Sequence, residues 1–156
     1  MPSPTFLGAM DAKAIRLLDL QCRTKFIYRA DPEGQNTWRS HLAEVRAGRT
    51  WYGNCDDLCS TVLDSIATAG AALDAIYRIE VGADGAAAPN HLIGCIWDDG
   101  GVCWIVGDTF GEAYPAGECR HRPFSYQRMD EIDIVRDGAP WGVPGDPGEG
   151  GALRRS

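Results

Sequence analysis

The spacing of apolar residues predicts three helices in the first half of the chain. Residues 8–22 carry apolar side chains at helical intervals, which predicts an amphipathic helix. A second helix is predicted to start at Asn36 or Thr37, either of which can cap it, and to end at Gly48. The third, over residues 55–69, has an apolar stripe wide enough to predict a helix of the core.

From residue 73 onward the pattern changes to an alternation of apolar and polar positions, which predicts a strand over residues 73–81. Two further apolar runs, at 91–97 and 102–106, flank the turn sequence Asp-Asp-Gly-Gly and predict a β-hairpin. Because helices come first and strands follow, the sequence predicts an α+β domain. In it, the third helix packs on a small antiparallel sheet.

The end of the chain differs in composition. A last short strand or turn is predicted with three anchors: Tyr126, Met129 and Ile132. The fourteen residues that follow position 137 include six glycines and three prolines, too many for a packed element. The sequence therefore predicts one domain over residues 1–137 and a Gly/Pro-rich tail over residues 138–156.

Charge and hydropathy restrict the class of protein. Fifteen Lys and Arg against 22 Asp and Glu give a formal net charge of -7, which argues against nucleic acid or an anionic membrane as a partner. No run of about 18 apolar residues predicts a membrane span, and the N-terminus lacks the apolar stretch of a Sec signal. We expect a soluble protein, either cytoplasmic or virion-associated.

Six cysteines raise the question of disulfides and metals. Without an export signal, reduced thiols are expected. Neither a C-x-x-C nor an H-x-x-x-H pair occurs, so the sequence carries no zinc signature. Cys59, Cys95 and Cys103 are interpreted as core residues, although Cys59 lies one helical turn from Cys55 and could resolve an oxidised form of it.

Cys55 stands apart because it begins the third predicted helix, directly after the capping residue Asn54. A helix N-terminus lowers the pKa of a thiol, since the helix dipole favours the thiolate. Asp56 and Asp57 in the first turn oppose that effect. A useful thiolate at Cys55 therefore requires a cationic partner, and histidine is the usual one.

The chain offers three histidines as that partner. His41 and His121 are interpreted as solvated surface residues, the first within a helix and the second in a charged run. His91 opens a strand after a flexible loop. Asp108 follows the second strand of the hairpin, and pairing across the turn sums to about 199 or 200, so His91 is predicted to face Asp108, which would orient the imidazole.

Cys55, His91 and Asp108 follow one another in an order used for acyl transfer. With the motif Gly-Asn-Cys-Asp-Asp at 53–57, the sequence resembles the bacterial transglutaminase-like cysteine peptidases of the papain-like superfamily, whose motif is Gly-Asp-Cys-Glu-Asp. The separations of 36 (91 minus 55) and 17 (108 minus 91) suit that family. The segment DPEGQNTW at 31–38 is similar to its upstream segment, and the resemblance covers over half of the chain.

The resemblance implies a papain-like fold and a cysteine peptidase or amidohydrolase in which Cys55 is the nucleophile. The expected substrate is a protein or peptide. Because the chain looks like the small, phage-type members of the family, a larger assembly such as a phage particle is a second expected partner. Candidates for an oxyanion or cleft role beside the Cys55 backbone N–H are Gln35, Asn36 and Trp51.

No cofactor is expected, but the resemblance raises the question of a calcium site, since some family members bind calcium through acidic residues flanking the cysteine. Here those residues are Asp56 and Asp57, and Asn54 stands where the family has Asp. Two alternatives to an enzyme are open at this point. One is a structural or adaptor protein, such as a virion component, that retains the fold, and the other is a calcium- or zinc-dependent binding protein.

Overall fold

The computed structural model of the protein describes residues 10–30, 39–83, 85–131, 134–136 and 139–141. The helices are α1 (Ala12–Arg23), α2 (Leu42–Arg46) and α3 (Cys55–Thr68). The strands are β1 (Phe26–Tyr28), β2 (Arg39–Ser40), β3 (Trp51–Gly53), β4 (Ile76–Gly82), β5 (His91–Trp97), β6 (Cys103–Val106), β7 (Tyr114–Pro115), β8 (Arg122–Arg128), β9 (Ile134–Arg136) and β10 (Ala139–Trp141). Within these ranges, no helix has both the length and the apolar character needed to cross a membrane.

A five-stranded antiparallel sheet in the order β7-β6-β5-β4-β8 forms the frame of the molecule. The predicted hairpin is its centre, and the pairing of Gly94 with Val106 gives the predicted sum of 200. Helix α3 packs on one face of this sheet through fully buried side chains such as Leu58 and Leu63. Gly94 permits close approach, because a Cβ there would lie 2.7 Å from Leu63 Cδ2.

Helix α3 confirms the prediction made from its apolar stripe and its cap. The Asn54 side chain accepts hydrogen bonds from the N–H groups of Asp56 and Asp57, and the Asp57 carboxylate accepts one from the Asn54 N–H. This reciprocal capping box satisfies backbone donors that the first helical turn leaves without partners. It fixes the point at which the chain enters the helix, and therefore fixes Cys55.

The predicted start of the second helix, at Asn36 or Thr37, is wrong. Residues Arg39 and Ser40 form β2, and α2 begins only at Leu42. The reason lies in α3: Ser40 Oγ donates to the Asp64 carboxylate at 2.6 Å. The His41 backbone N–H donates to Thr61 Oγ1 at 2.9 Å. These side-chain partners hold the backbone extended where local propensity favours a helix.

The strand predicted over 73–81 begins three residues late, because Leu73–Ala75 form a 3₁₀ turn. Tyr77, Ile79 and Val81, the alternate positions of this strand, contribute to a second, smaller apolar cluster.

Of the three anchors predicted for the last segment, one is confirmed and one is wrong. Met129 is fully buried, whereas Tyr126 is 61% exposed because it lies on β8, the edge strand of the sheet. Ile132 lies outside the described residues. Strand β10 lies within the predicted tail and pairs with β9, which in turn pairs in parallel with β2.

The turn between β5 and β6 is organised by the carboxylate of Asp98, which is 6% exposed. It accepts hydrogen bonds from the backbone N–H groups of Gly100 and Val102 and from the indole N–H of Trp104. Burial alone raises the pKa of Asp98, but these donors outweigh it and leave the pKa below its usual value.

We expect Asp98→Asn to lower the free energy of unfolding at pH 7 by about 1 to 3 kcal/mol. The side-chain NH2 of asparagine would take the place of the oxygen that now accepts the Trp104 N–H, so that two donors would face each other. A depressed pKa contributes stability above the unfolded value of about 3.9 and loses it as pH falls further. The difference between wild type and variant should therefore shrink below about pH 4. Urea denaturation at pH 7 and pH 3 measures it, with Asp99→Asn as the exposed control. A difference that stays constant with pH would contradict the assignment.

Candidate active site

Cys55 is the first residue of α3 and is half-buried. The residue before its cap, Gly53, ends β3, which pairs in parallel with β1. A Cβ on Gly53 would lie 2.5 Å from the Cβ of Asp57, so only glycine lets the chain turn this closely into the helix. The Cys55 Sγ lies 3.6 Å from a carboxylate oxygen of Asp56. Strand β3 and the capping box thus place the thiol at the N-terminus of a rigid helix.

His91 and Asp108 lie together, His91 at the start of β5 and Asp108 after β6. His91 Nε2 is 2.9 Å from Asp108 Oδ1. An ionised carboxylate only accepts hydrogen bonds, so His91 Nε2 must carry a proton. In the neutral ring, Nδ1 is then the acceptor. The hairpin register therefore fixes which nitrogen of His91 can take up a proton.

The Asp108 carboxylate is 1% exposed and has four donors. Besides His91 these are His121 Nε2 at 2.9 Å, the Tyr114 hydroxyl at 2.6 Å and the Phe110 backbone N–H at 3.0 Å. Burial acts to raise the pKa of Asp108, but the hydrogen bonds from His91, Tyr114, Phe110 and His121 outweigh it and hold the pKa well below its usual value. The carboxylate is therefore a fixed negative charge beside two imidazole rings.

The prediction that His121 is a solvated surface residue is wrong. Its side chain is 15% exposed, and its ring lies 4.9 Å from that of His91 and 5.4 Å from that of Phe110. The missed signal is topological: β8 pairs with β4 so that Arg122 faces Gly82, while His91 faces Val81 from the other side. Recognising β8 as a neighbour of β4 would have placed His121 at the same end of the sheet as His91.

His41 is also less solvated than predicted, because its ring stacks on Trp51 at 4.8 Å. Trp51 itself is 2% exposed, and its indole N–H donates to the Cys22 carbonyl at 3.0 Å. The only side-chain donor of Trp51 is thus used within the core. Gln35 and Asn36, the other candidates for an oxyanion role, lie outside the described residues.

A cavity of about 470 Å³ opens beside these groups and is lined by Cys55, His91 and His121. Its aromatic walls come from Phe26 and Tyr28. Phe110 adds a third ring, 77% exposed and 4.9 Å from that of His91. The other lining residues are Ala83, Asn90 and Thr109. A bound molecule in this space would contact the thiol and both imidazoles against a mostly apolar wall.

Helix α1 holds the segment that carries Asp108 through contacts of Asp19 and Arg23 that the sequence did not predict. The fully buried Asp19 carboxylate accepts two hydrogen bonds from Arg23, one from the Gly107 N–H at 2.8 Å and one from the Ala113 N–H at 2.9 Å. Arg23 also donates to the Asp108 carbonyl at 2.9 Å. The available signal was a carboxylate on the apolar stripe of α1, in line with Ile15 and Cys22 and followed by arginine four residues later.

One group in the described part of the chain has the donor atoms for a metal ion: His91, Asp108 and His121, whose donor atoms all lie within 4.8 Å of one another. The predicted calcium candidates Asp56 and Asp57 are 3% and 6% exposed. One Asp57 oxygen already accepts the Asn54 N–H in the capping box. Calcium prefers six to eight oxygen ligands, so two carboxylates alone do not complete such a site. Calcium at this position stays a prediction.

The core helix α3 begins with Cys55 and packs on an antiparallel sheet that carries His91, with Asp108 in the loop after β6. Solved structures of similar fold include calcium-bound LapG of Legionella pneumophila, with a TM-score of 0.55 and 14% sequence identity over 87% of this chain and 70% of that chain. Another LapG structure from the same organism has a TM-score of 0.52 and 17% identity over 87% and 73%. No protein-family model and no curated protein matches the sequence. At these identities the likeness shows the fold alone.

Proposed function

We propose that the protein is a thiol-dependent acyl-transfer enzyme, most simply a cysteine peptidase or amidohydrolase. The observation that carries the proposal is that Cys55, at a helix N-terminus, and His91, which is hydrogen-bonded to Asp108, line the same cavity. LapG, which shares the fold, is a bacterial transglutaminase-like cysteine protease. No observation on the described residues favours the non-catalytic alternative.

In the first half of the proposed reaction, His91 Nδ1 takes the proton of the Cys55 thiol, and the Asp108 carboxylate stabilises the imidazolium that results. The thiolate attacks the carbonyl carbon of the substrate, forming a C–S bond while the C=O electron pair moves to oxygen. The Cys55 backbone N–H, at the positive end of the α3 dipole, holds that oxyanion. Collapse breaks the C–N bond, and His91 returns its proton to the leaving amine.

In the second half, His91 takes a proton from water, and the hydroxide attacks the thioester. The C–S bond breaks, the thiolate regains the proton from His91, and a carboxylic acid leaves. An amine in place of water would give transfer instead of hydrolysis, and the same residues serve both outcomes. The aromatic lining of the cavity favours an apolar segment of a protein or peptide as the bound part of the substrate. An association with a phage particle remains part of the proposal only through the family resemblance.

Alkylation of Cys55 tests the proposal without a known substrate. At about pH 6 we expect iodoacetamide to label Cys55 at least about tenfold faster than an ordinary thiol, because its thiolate is stabilised by His91. His91→Ala should remove that advantage. His41→Ala, which changes a histidine outside the cavity, should keep it. Peptide mass spectrometry on the native protein measures each cysteine separately.

Buried thiols provide internal references in the same experiment. Burial raises the pKa of Cys22 to about 12 and that of Cys59 well above its usual value, so both should label slowly. If Cys55 is as slow as Cys59, or labels equally fast in His91→Ala, the acyl-transfer proposal fails. A structural role for the domain would then be the better account.

A further inference from the structure

The group formed by His91, Asp108 and His121 has a composition that catalysis by a Cys-His-Asp triad does not require. The triad uses one imidazole, whereas here two imidazoles donate to different oxygens of one carboxylate, each at 2.9 Å. The three residues come from β5, from the loop after β6 and from the residue before β8. Their side chains are 9%, 1% and 15% exposed. They therefore form a nearly buried cluster, and its two imidazoles line the cavity beside Cys55.

The donor set defines which metals suit this cluster. Two imidazole nitrogens and one carboxylate oxygen are ligands of zinc and of other divalent transition metals, while calcium and magnesium prefer oxygen alone. Around a tetrahedral ion with bonds of about 2.0 to 2.1 Å, neighbouring ligand atoms lie roughly 3.3 Å apart. Each imidazole Nε2 lies 2.9 Å from the carboxylate oxygen nearest to it, Oδ1 for His91 and Oδ2 for His121, and this distance is close to that separation. The most distant pair of donor atoms, within 4.8 Å, needs to close by at most roughly 1.5 Å.

The surroundings of Asp108 supply the support that a metal ligand needs. The Tyr114 hydroxyl donates to Asp108 Oδ2, and Arg23 and Asp19 hold the backbone on either side of the carboxylate. Such outer partners orient a ligating carboxylate. Asp108 would therefore stay in place while the two imidazole rings adjust around an ion.

We propose that His91, Asp108 and His121 bind a divalent transition metal ion such as zinc, and that the bound ion switches off Cys55. The second half of this statement rests on the proposed function. Coordination through Nε2 requires the proton of each neutral ring to move to Nδ1, so that binding releases no proton from either ring. Activation of Cys55 needs the opposite tautomer of His91, with Nδ1 as acceptor. Metal binding and proton uptake by His91 therefore exclude each other.

Titration of the Cys55→Ser protein with zinc tests the metal site independently of any reaction. We expect zinc, followed by calorimetry, to bind at one site and to raise the melting temperature, and calcium to do neither. His121→Gln and Asp108→Asn, each in the Cys55→Ser background, should weaken zinc binding at least about tenfold. His41→Gln in the same background is the matched control and should bind zinc as the parent does.

Blocking the remaining accessible thiols separates this site from binding by cysteine. Cys103 and Cys119 are half-buried, so the titration is repeated after both are replaced by serine. Zinc binding that persists there and is lost in His121→Gln supports the site. Zinc binding that is unchanged in His121→Gln, or absent from the parent, overturns it.

The switch is tested by alkylation of the otherwise wild-type protein. At a zinc concentration ten times the measured Kd, we expect labelling of Cys55 to slow about tenfold, and labelling of His121→Gln to slow by no more than about twofold. If zinc binds but labelling of Cys55 is unaffected, the metal site stands and the switch is refuted. If Cys55 is not labelled rapidly even without zinc, the proposed function fails, while the titration still decides the metal site.

Discussion

Asp19→Ala should lower the free energy of unfolding by about 3 to 5 kcal/mol, because it removes one partner of a buried ion pair. The substitution leaves the Arg23 guanidinium without its carboxylate in a part of the core where Asp19 is 0% exposed. It also takes away the acceptor of the Gly107 and Ala113 N–H groups, and each unpaired buried donor costs about 1 to 3 kcal/mol more. Both penalties arise from losing the same carboxylate and do not add, so the expected total is that of a broken buried ion pair, about 3 to 5 kcal/mol.

Urea denaturation followed by circular dichroism measures this loss, and Asp74→Ala is the matched control. Asp74 is an exposed aspartate, and its replacement should change the stability by no more than about 0.5 kcal/mol. If Asp19→Ala proves as stable as Asp74→Ala, the hydrogen bonds from α1 to the Asp108 segment contribute nothing measurable, and α1 does not hold this part of the site.

Gly107→Ala should lower the free energy of unfolding by about 2 to 5 kcal/mol, for two separate reasons. The backbone of Gly107 has a φ of +66°, where an L side chain costs about 1 to 2 kcal/mol. A Cβ there would also lie 2.8 Å from the Cα of Cys59, a backbone atom of α3 that cannot move without shifting the helix. Overpacking of this kind adds about 1 to 3 kcal/mol.

Gly101→Ala separates the two contributions. Gly101 has a φ of +88°, but a Cβ there would have no neighbour within 4 Å, so only the backbone cost of about 1 to 2 kcal/mol should apply. The difference between the two variants, from chemical denaturation under the same conditions, measures the contact with α3. Equal losses would mean that the Gly107 segment can move away from the helix, contrary to the tight packing described above.

The sequence predicted correctly those elements for which two local signals, the apolar periodicity and the capping or turn residues, indicate the same structure. Helix α3 has both an apolar stripe and a capping box, and the central hairpin has a turn that fixes its register, so both were predicted correctly. The start of α2 was not, because Ser40 is bonded to Asp64 on another helix, and local propensity contains no information about that partner. Strands β1 and β3, of three residues each, are too short to show any period.

The candidate site was predictable to the extent that it depends on the hairpin. The register alone brings His91 to Asp108, whereas the approach of His121 depends on β8 pairing with β4 across the chain. The contribution of Asp19 and Arg23 depends on how α1 packs against the loop after β6. Such long-range arrangements follow from the packing of the whole core, which a local pattern does not encode.

The two N–H groups bonded to Asp19 lie on either side of a short stretch of chain, residues 108–112. Both ends of this stretch are fixed to α1, and Arg23 also holds the Asp108 carbonyl, so changes to the side chains of Thr109 or Phe110 would alter the wall of the cavity while these backbone hydrogen bonds remain. In the proposed enzyme, these two side chains would determine what the cavity admits, while Cys55, His91 and Asp108 would stay unchanged. For protein engineering, a small library at residues 109 and 110 would sample cavities of different shape on the same backbone.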